Sequence, residues 1–255
     1  MNNSTFLYVY TLNFKCNYMH LQQQKTQTMK KVLLFGSAAL LFASCGGNVE
    51  GDRVEANDAQ EVQEVSEAVV YNANTSESNI MWEGADVAGK VHNGAIDISE
   101  GMLKVKDGAL VGGEFTIDMS SIVNFDVENE EYNAKLVGHL KSPDFFSIDS
   151  FPTAKFEVTS IEDYSGTEDF THTITGNLTM KDITKSISFP ATVTMENDMI
   201  SATTGQFVID RSDWNVRFRS VTFFDAAELK DKAIKNDIGL KISLAASADN
   251  ATASL

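Results

Sequence analysis

Phe170-Thr171-His172-Thr173-Ile174-Thr175-Gly176-Asn177-Leu178-Thr179-Met180 alternates without a break, with Phe170, His172, Ile174, Gly176, Leu178 and Met180 on one side and four threonines, Thr171, Thr173, Thr175 and Thr179, with Asn177 on the other. A period of two marks a strand with one face on a core and one in water, because side chains of extended backbone point alternately to opposite faces. The same period recurs outward from this stretch. Ala154, Phe156 and Val158 alternate with Lys155, Glu157 and Thr159; Ile187, Phe189, Ala191, Val193 and Met195 alternate with Ser188, Pro190, Thr192 and Thr194; and Ile238, Leu240, Ile242 and Leu244 repeat it near the C-terminus. In Ala109–Ile117 the odd positions, ending in Phe115 and Ile117, form the expected inner face. Lys106-Asp107-Gly108, Ser165-Gly166 and Asn197-Asp198 are turn formers between these runs, so neighbouring strands can pair antiparallel. Residues 79–246 therefore read as one all-β domain of about eight strands, a number that closes into a barrel; alternation alone does not separate a barrel from a two-sheet sandwich.

One segment breaks the period. Tyr132, Leu136 and Leu140 recur at four-residue spacing, acids at Asp126, Glu128, Glu130 and Glu131 precede them, and Lys141 stands before Ser142-Pro143. That is a short helix with charges placed to suit its dipole, and its apolar stripe suits the open end of a barrel. Val123–Asn129 reads as a loop at that entrance.

The chain has 255 residues, with 36 acids against 20 bases. No acid falls in residues 1–44, so from Cys45 onward the balance is 36 acids against 16 bases, and nucleic acid is not an expected partner. From Met29 the sequence runs Met-Lys-Lys, an uncharged apolar run Val32–Phe42, then Ala43-Ser44-Cys45. The run is too short to span a bilayer and resembles a bacterial lipoprotein signal, with Phe42 in place of the usual leucine. The expectation is an upstream start region (1–28), a signal peptide (29–44), a lipidated Cys45 followed by an acidic flexible tether (45–78), the β domain (79–246) and a disordered tail (247–255). A helix over Val54–Val70 is the alternative for the tether. Acyl chains on Cys45 would hold the protein to the cell envelope, at the outer membrane, without a transmembrane helix.

The order of motifs in the β domain carries a further signal. Trp82, His92-Asn93-Gly94, Gly101, Gly113-Glu114-Phe115-Thr116-Ile117-Asp118-Met119, His139-Leu140-Lys141-Ser142-Pro143-Asp144-Phe145-Phe146, Phe151-Pro152-Thr153-Ala154-Lys155-Phe156 and Gly176-Asn177-Leu178-Thr179-Met180-Lys181-Asp182-Ile183-Thr184 together resemble the YceI-like family of polyisoprenoid-binding proteins. Asp210-Arg211-Ser212-Asp213-Trp214 resembles a segment of its lipoprotein members; Lys181-Asp182 departs from the more usual Lys-Gly or His-Gly turn. The resemblance implies a lipocalin-like, antiparallel eight-stranded β-barrel with a short helix near its mouth, exported by the cell, that holds an isoprenoid, a quinone-like molecule or another amphiphilic lipid. It implies neither catalysis nor a cofactor.

On that reading the lumen is the site. Phe115, Ile117, Phe156, His172, Ile174, Phe189 and Phe207 are its expected lining, with Leu136, Leu140, Phe145 and Phe146 at the mouth, although each of these also suits ordinary core packing. His172, an imidazole on an apolar face, is either a satisfied core histidine or a headgroup contact. His92, His139 and His172 lie on separate elements, so no metal centre is expected. Asp118, Asp210, Arg211 and Asp213 border strand ends, where rim ion pairs are the ordinary explanation. Two rival functions remain. An isomerase or hydrolase using Asp210, Arg211 or His172 would gather polar groups at one spot inside the cavity, and a structural or stress-response barrel would have a lumen below about 300 Å³.

Overall fold

The computed structural model describes residues 47–196 and 198–248, so the segment holding the expected signal peptide and Cys45, and residues 249–255, lie outside the described residues. The alternating runs become β4 (Asn79–Asp86), β5 (Val91–Lys106), β6 (Ala109–Asn124), β7 (Thr153–Asp163), β8 (His172–Met180), β9 (Ile183–Glu196), β10 (Met199–Thr204) and β12 (Ile234–Ala248). Each pairs antiparallel with the next, and β12 pairs with β4, so these eight close a ring with no free edge. β11 (Phe207–Asp210) continues the line of β10 along β12 after a break at Gly205-Gln206. The sandwich alternative is thereby excluded.

Inside the ring the alternation holds for β8, where Ile174, Leu178 and Met180 are buried, and for β9, where Ile187, Phe189, Ala191 and Val193 are buried. In β6 the expected phase fails at its start. Leu110 is buried, not its odd-numbered neighbours, because Val105 pairs with Leu110 while Lys104 pairs with Gly112. The extra residue, Val111, is a bulge that flips the phase before Phe115 and Ile117. A bulge is a property of the pair of strands, so one strand's pattern does not reveal it.

Gly94 of β5 marks the closest approach in the wall. A Cβ there would fall on the Val123 carbonyl oxygen and within 2.8 Å of Trp82 Nε1, which itself donates to that oxygen at 3.1 Å. Gly94→Ala is expected to cost about 3 kcal/mol and to lower the melting temperature by roughly 6–12 °C in a thermal denaturation. A shift under about 2 °C would show that the wall gives way there.

The helix expected over Tyr132–Leu140 is α1 (Glu130–Lys141), capped by Asn129, whose side chain accepts from the Tyr132 N–H. Its stripe is only half buried. Leu140 is buried and Leu136 partly so, but Tyr132 is 64% exposed, since only the C-terminal half of α1 rests on the ring.

The acidic segment before Asn79 differs most from expectation. β1 (Asp52–Arg53) lies parallel to β11, β2 (Asn57–Asp58) pairs with β9, and β3 (Val69–Ala73) pairs with both β5 and the end of β12. Asp52–Arg53, Asn57–Asp58 and Val69–Ala73 are thus paired rather than free, and no helix covers Val54–Val70. The ring supplies the missing partners: Lys235 Nζ donates to Gly47 O at 2.9 Å, Arg53 pairs with Asp237, and Gln60 exchanges hydrogen bonds of 2.9 and 2.7 Å with the Asn177 side chain. Covering by this segment also buries Asn177, expected on the wet face of β8. At the other end β12 runs to Ala248, two residues into the expected tail.

Candidate functional site

The ring encloses two apolar cavities in line. One, of about 160 Å³, lies toward the end formed by the last residues of β4 and the first of β12, and is walled by Trp82, Ile96, Met119, Leu136, Leu140, Phe145 and Phe146 among others. The second, of about 120 Å³, lies toward the other end, with Phe115, Phe156, Val158, Ile174, Phe189 and Phe207 in its wall. Ile80, Ile117, Leu178 and Leu240 belong to both walls and form a waist between them.

The expected site residues divide along this line. Phe115, Ile117, Phe156, Ile174, Phe189 and Phe207 come together around the second cavity, where Phe189 stacks on Phe207 at 4.5 Å between ring centroids and lies 5.6 Å from Phe156. Leu136, Leu140, Phe145 and Phe146 come together on the first, delivered by α1 and the turn after it. His172 joins neither wall. It stands partly buried at the start of β8 with Nδ1 2.7 Å from Thr171 Oγ1.

Ionisable side chains line only the first cavity, and most of them are partly exposed; the second has Thr204 in its wall. Glu83, His92, His139, Lys235 and Asp237 line its outer part, all partly exposed. His92 Nδ1 lies 2.8 Å from Asp126, which also accepts from the Asn93 and Asn124 N–H groups. Burial alone would raise the Asp126 pKa, but these bonds outweigh it and hold the carboxyl below its usual range.

Arg211 is the exception, and sequence reasoning misplaced it. Expected in a rim ion pair, it is 1% exposed and lines the first cavity. Its guanidinium donates to four backbone carbonyls, those of Val216 (2.6 Å), Phe218 (2.9 Å), Lys235 (3.1 Å) and Ile234 (3.2 Å), and sits 5.2 Å from the Phe145 ring centroid. Burial lowers its pKa to about 10, opposed by the nearby Asp210 charge, so it stays cationic at neutral pH. Lys181 repeats the arrangement, donating to Phe145 O at 2.8 Å and Asn215 O at 3.2 Å, with its pKa lowered by burial. Lys181 and Asp182 both have positive φ, the conformation a glycine would otherwise supply in that turn.

The remaining acids do not form a constellation. Asp210 accepts from the Ser212 N–H and hydroxyl, Asp118 from the Ser120 hydroxyl and N–H, which lower its pKa, and Asp213 is exposed with its pKa raised by partial burial and by Asp210. None lines a cavity. No cluster of three or more His, Cys, Asp or Glu side chains able to hold a metal occurs among the described residues.

Two solved structures share the fold: Burkholderia cenocepacia BcnA, with a TM-score of 0.52, 20% identity, and coverage of 69% of this chain and 99% of that one; and a polyisoprenoid binding domain from Saccharophagus degradans implicated in plant cell wall breakdown, with a TM-score of 0.51, 12% identity, and coverage of 71% and 99%. A UPF0312 protein of Pseudomonas putida is 43% identical over 54 residues, a match that spans 21% of this chain and only 27% of the relative's length. The YceI-like domain matches residues 71–246, which include most of β3 and of β12. The chain belongs to the YceI-like family.

Proposed function

We propose that this chain is a binding protein, tethered to the bacterial envelope through lipid on Cys45, that holds a polyisoprenoid, quinone-like or similar amphiphile along its lumen. The observation that carries this reading is the pair of apolar cavities in line, with ionisable groups confined to one rim apart from a guanidinium already occupied by carbonyls. Such a wall binds a hydrocarbon chain by removing apolar surface from water, at about 25 cal/mol per Å², and its acids and imidazoles, Glu83, His92, His139 and Asp237, are all partly exposed. The Saccharophagus neighbour is a polyisoprenoid binding domain, which favours the same ligand class. The anchoring half of the proposal rests on Met29-Lys30-Lys31, the apolar run and Cys45.

Cavity size favours a second reading. At about 160 and 120 Å³ the two spaces each fall below 300 Å³, as a nearly closed structural barrel would. An apolar cavity of about 150 Å³ holds one benzene-sized group, so a long chain enters this lumen only by spreading the waist. Mass spectrometry of the intact, natively expressed protein separates the two. A co-purifying lipid released by organic extraction, and a mass increment of acyl chains on Cys45, are the expected results. A chain that carries no lipid in its lumen under any expression condition leaves the structural barrel as the function, and an unmodified Cys45 removes the anchor.

A further inference from the structure

Three of the exposed large apolar side chains lie on two adjoining loops at the end of the ring where the first cavity opens. Val87, at the tip of the β4–β5 hairpin, is 45% exposed, and Val221 and Phe224, in the loop before β12, are 52% and 47% exposed. The two loops are held together: the Val87 N–H donates to Ala233 O at 3.0 Å, and the Ile234 N–H to Arg219 O at 2.9 Å.

Charge on these loops departs from the rest of the chain. Residues 86–91 and 217–232 carry five bases, Lys90, Arg217, Arg219, Lys230 and Lys232, all exposed, against four acids. From Cys45 onward the remainder carries 11 bases against 32 acids. A bilayer surface bearing phosphate groups would repel most of this molecule, the acidic stretch Asp126–Glu131 included, and accept these two loops.

Gly47 lies at the same end. Gly47 packs on Gly89 and Val91 of the same hairpin so closely that a Cβ would lie 2.9 Å from the Val91 side chain, and its carbonyl is held by Lys235, itself part of the first cavity's rim. Cys45 is two residues upstream, a reach of at most about 7 Å of extended chain.

We propose that this rim is a bilayer-docking surface: Val87, Val221 and Phe224 enter the interfacial region, the flanking bases meet lipid phosphates, and the mouth of the lumen opens onto the membrane. The proposal builds on anchoring at Cys45, which would hold the rim against the surface by a leash too short to let it turn away. A hydrophobic ligand would then pass between bilayer and lumen without crossing water.

The test uses the full chain carrying Cys16→Ser, expressed so that Cys45 receives its lipid, with an environment-sensitive fluorophore on Phe224→Cys and, separately, on Met199→Cys, which is exposed at the opposite end of β12. In vesicles of phosphatidylethanolamine and phosphatidylglycerol, the reporter at 224 is expected to shift to the blue and to be quenched by a lipid-borne quencher, and the reporter at 199 to remain as in water. Adding Val87→Glu and Val221→Glu should cut that quenching by about tenfold. Equal signals at the two positions, or silence at 224 in chains whose mass shows the lipid, overturn the proposal. The same reporters in a Cys16→Ser, Cys45→Ser chain separate docking from anchoring. There the reporter at 224 responds only at higher vesicle concentration if the surface is right, and its silence at every concentration overturns docking in a chain that is never lipidated.

Discussion

Replacing Arg211 with Met should destabilise the domain by about 3–5 kcal/mol, seen as a melting temperature lower by roughly 10 °C or more in thermal denaturation. Methionine fills much of the same volume, so the loss measures the guanidinium rather than a cavity. The four carbonyls it binds, on Val216, Phe218, Ile234 and Lys235, come from the loop after β11 and the first residues of β12, and no other side chain among the described residues donates to them. Each acceptor left without a donor in a buried place costs about 1–3 kcal/mol, reduced where water enters at the partly buried ones. Arg211→Lys should recover less than half of the loss, because one ammonium cannot span four acceptors set around a planar fork. Arg53→Met is the control, since Arg53 is paired but largely exposed, and should change stability by less than about 1 kcal/mol. An Arg211→Met protein within about 1 kcal/mol of the parent would mean that the carbonyls find water and that the buried cation is not what holds this corner together.

Arg211 also marks where the sequence stops being legible. A strand announces itself through side chains two residues apart, so β8 and β9 could be read from Ile174, Leu178, Phe189 and Val193, and the lumen-facing aromatic set followed from the same rule. The fate of a charge depends on partners distant in the chain. Arg211 sits beside Asp210 and Asp213, which invites a rim ion pair, yet its acceptors lie up to 24 residues away on another element. The acidic segment is the larger case. Glu50, Asp52, Glu55 and Asp58 repel one another when read alone, but Lys235 and Asn177, which hold Gly47 and Gln60, lie 188 and 117 residues further along. Val54 and Ala56, too sparse to suggest a core, pack against the one the ring provides. The bulge at Val111 and the exposure of Tyr132 have the same origin, since a pairing register and the reach of a helix over its neighbour belong to two elements at once.

Closing the waist should separate a carrier from a packed barrel more sharply than any change at the rim. Ile117 on β6 and Leu240 on β12 both belong to the walls of both cavities, so Ile117→Phe together with Leu240→Phe puts two rings into the passage while leaving each lobe in place. Overpacking ordinarily costs about 1–3 kcal/mol, but here the added atoms have voids of about 160 and 120 Å³ on either side to turn into, and the expected loss is below about 1.5 kcal/mol. Retention of a chain long enough to occupy both lobes should fall by at least about tenfold, measured as lipid recovered per protein by extraction and mass spectrometry. A short amphiphile that fills only one lobe should bind within about threefold of the parent. The contrast follows from the energetics of a dry tube: each buried methylene contributes about 0.8 kcal/mol, so a chain stopped at the waist loses every methylene beyond it while keeping those before it. Equal loss of short and long ligands would mean that both are held at the waist itself, and unchanged retention of both would mean that the chain never passes the waist or binds outside the lumen.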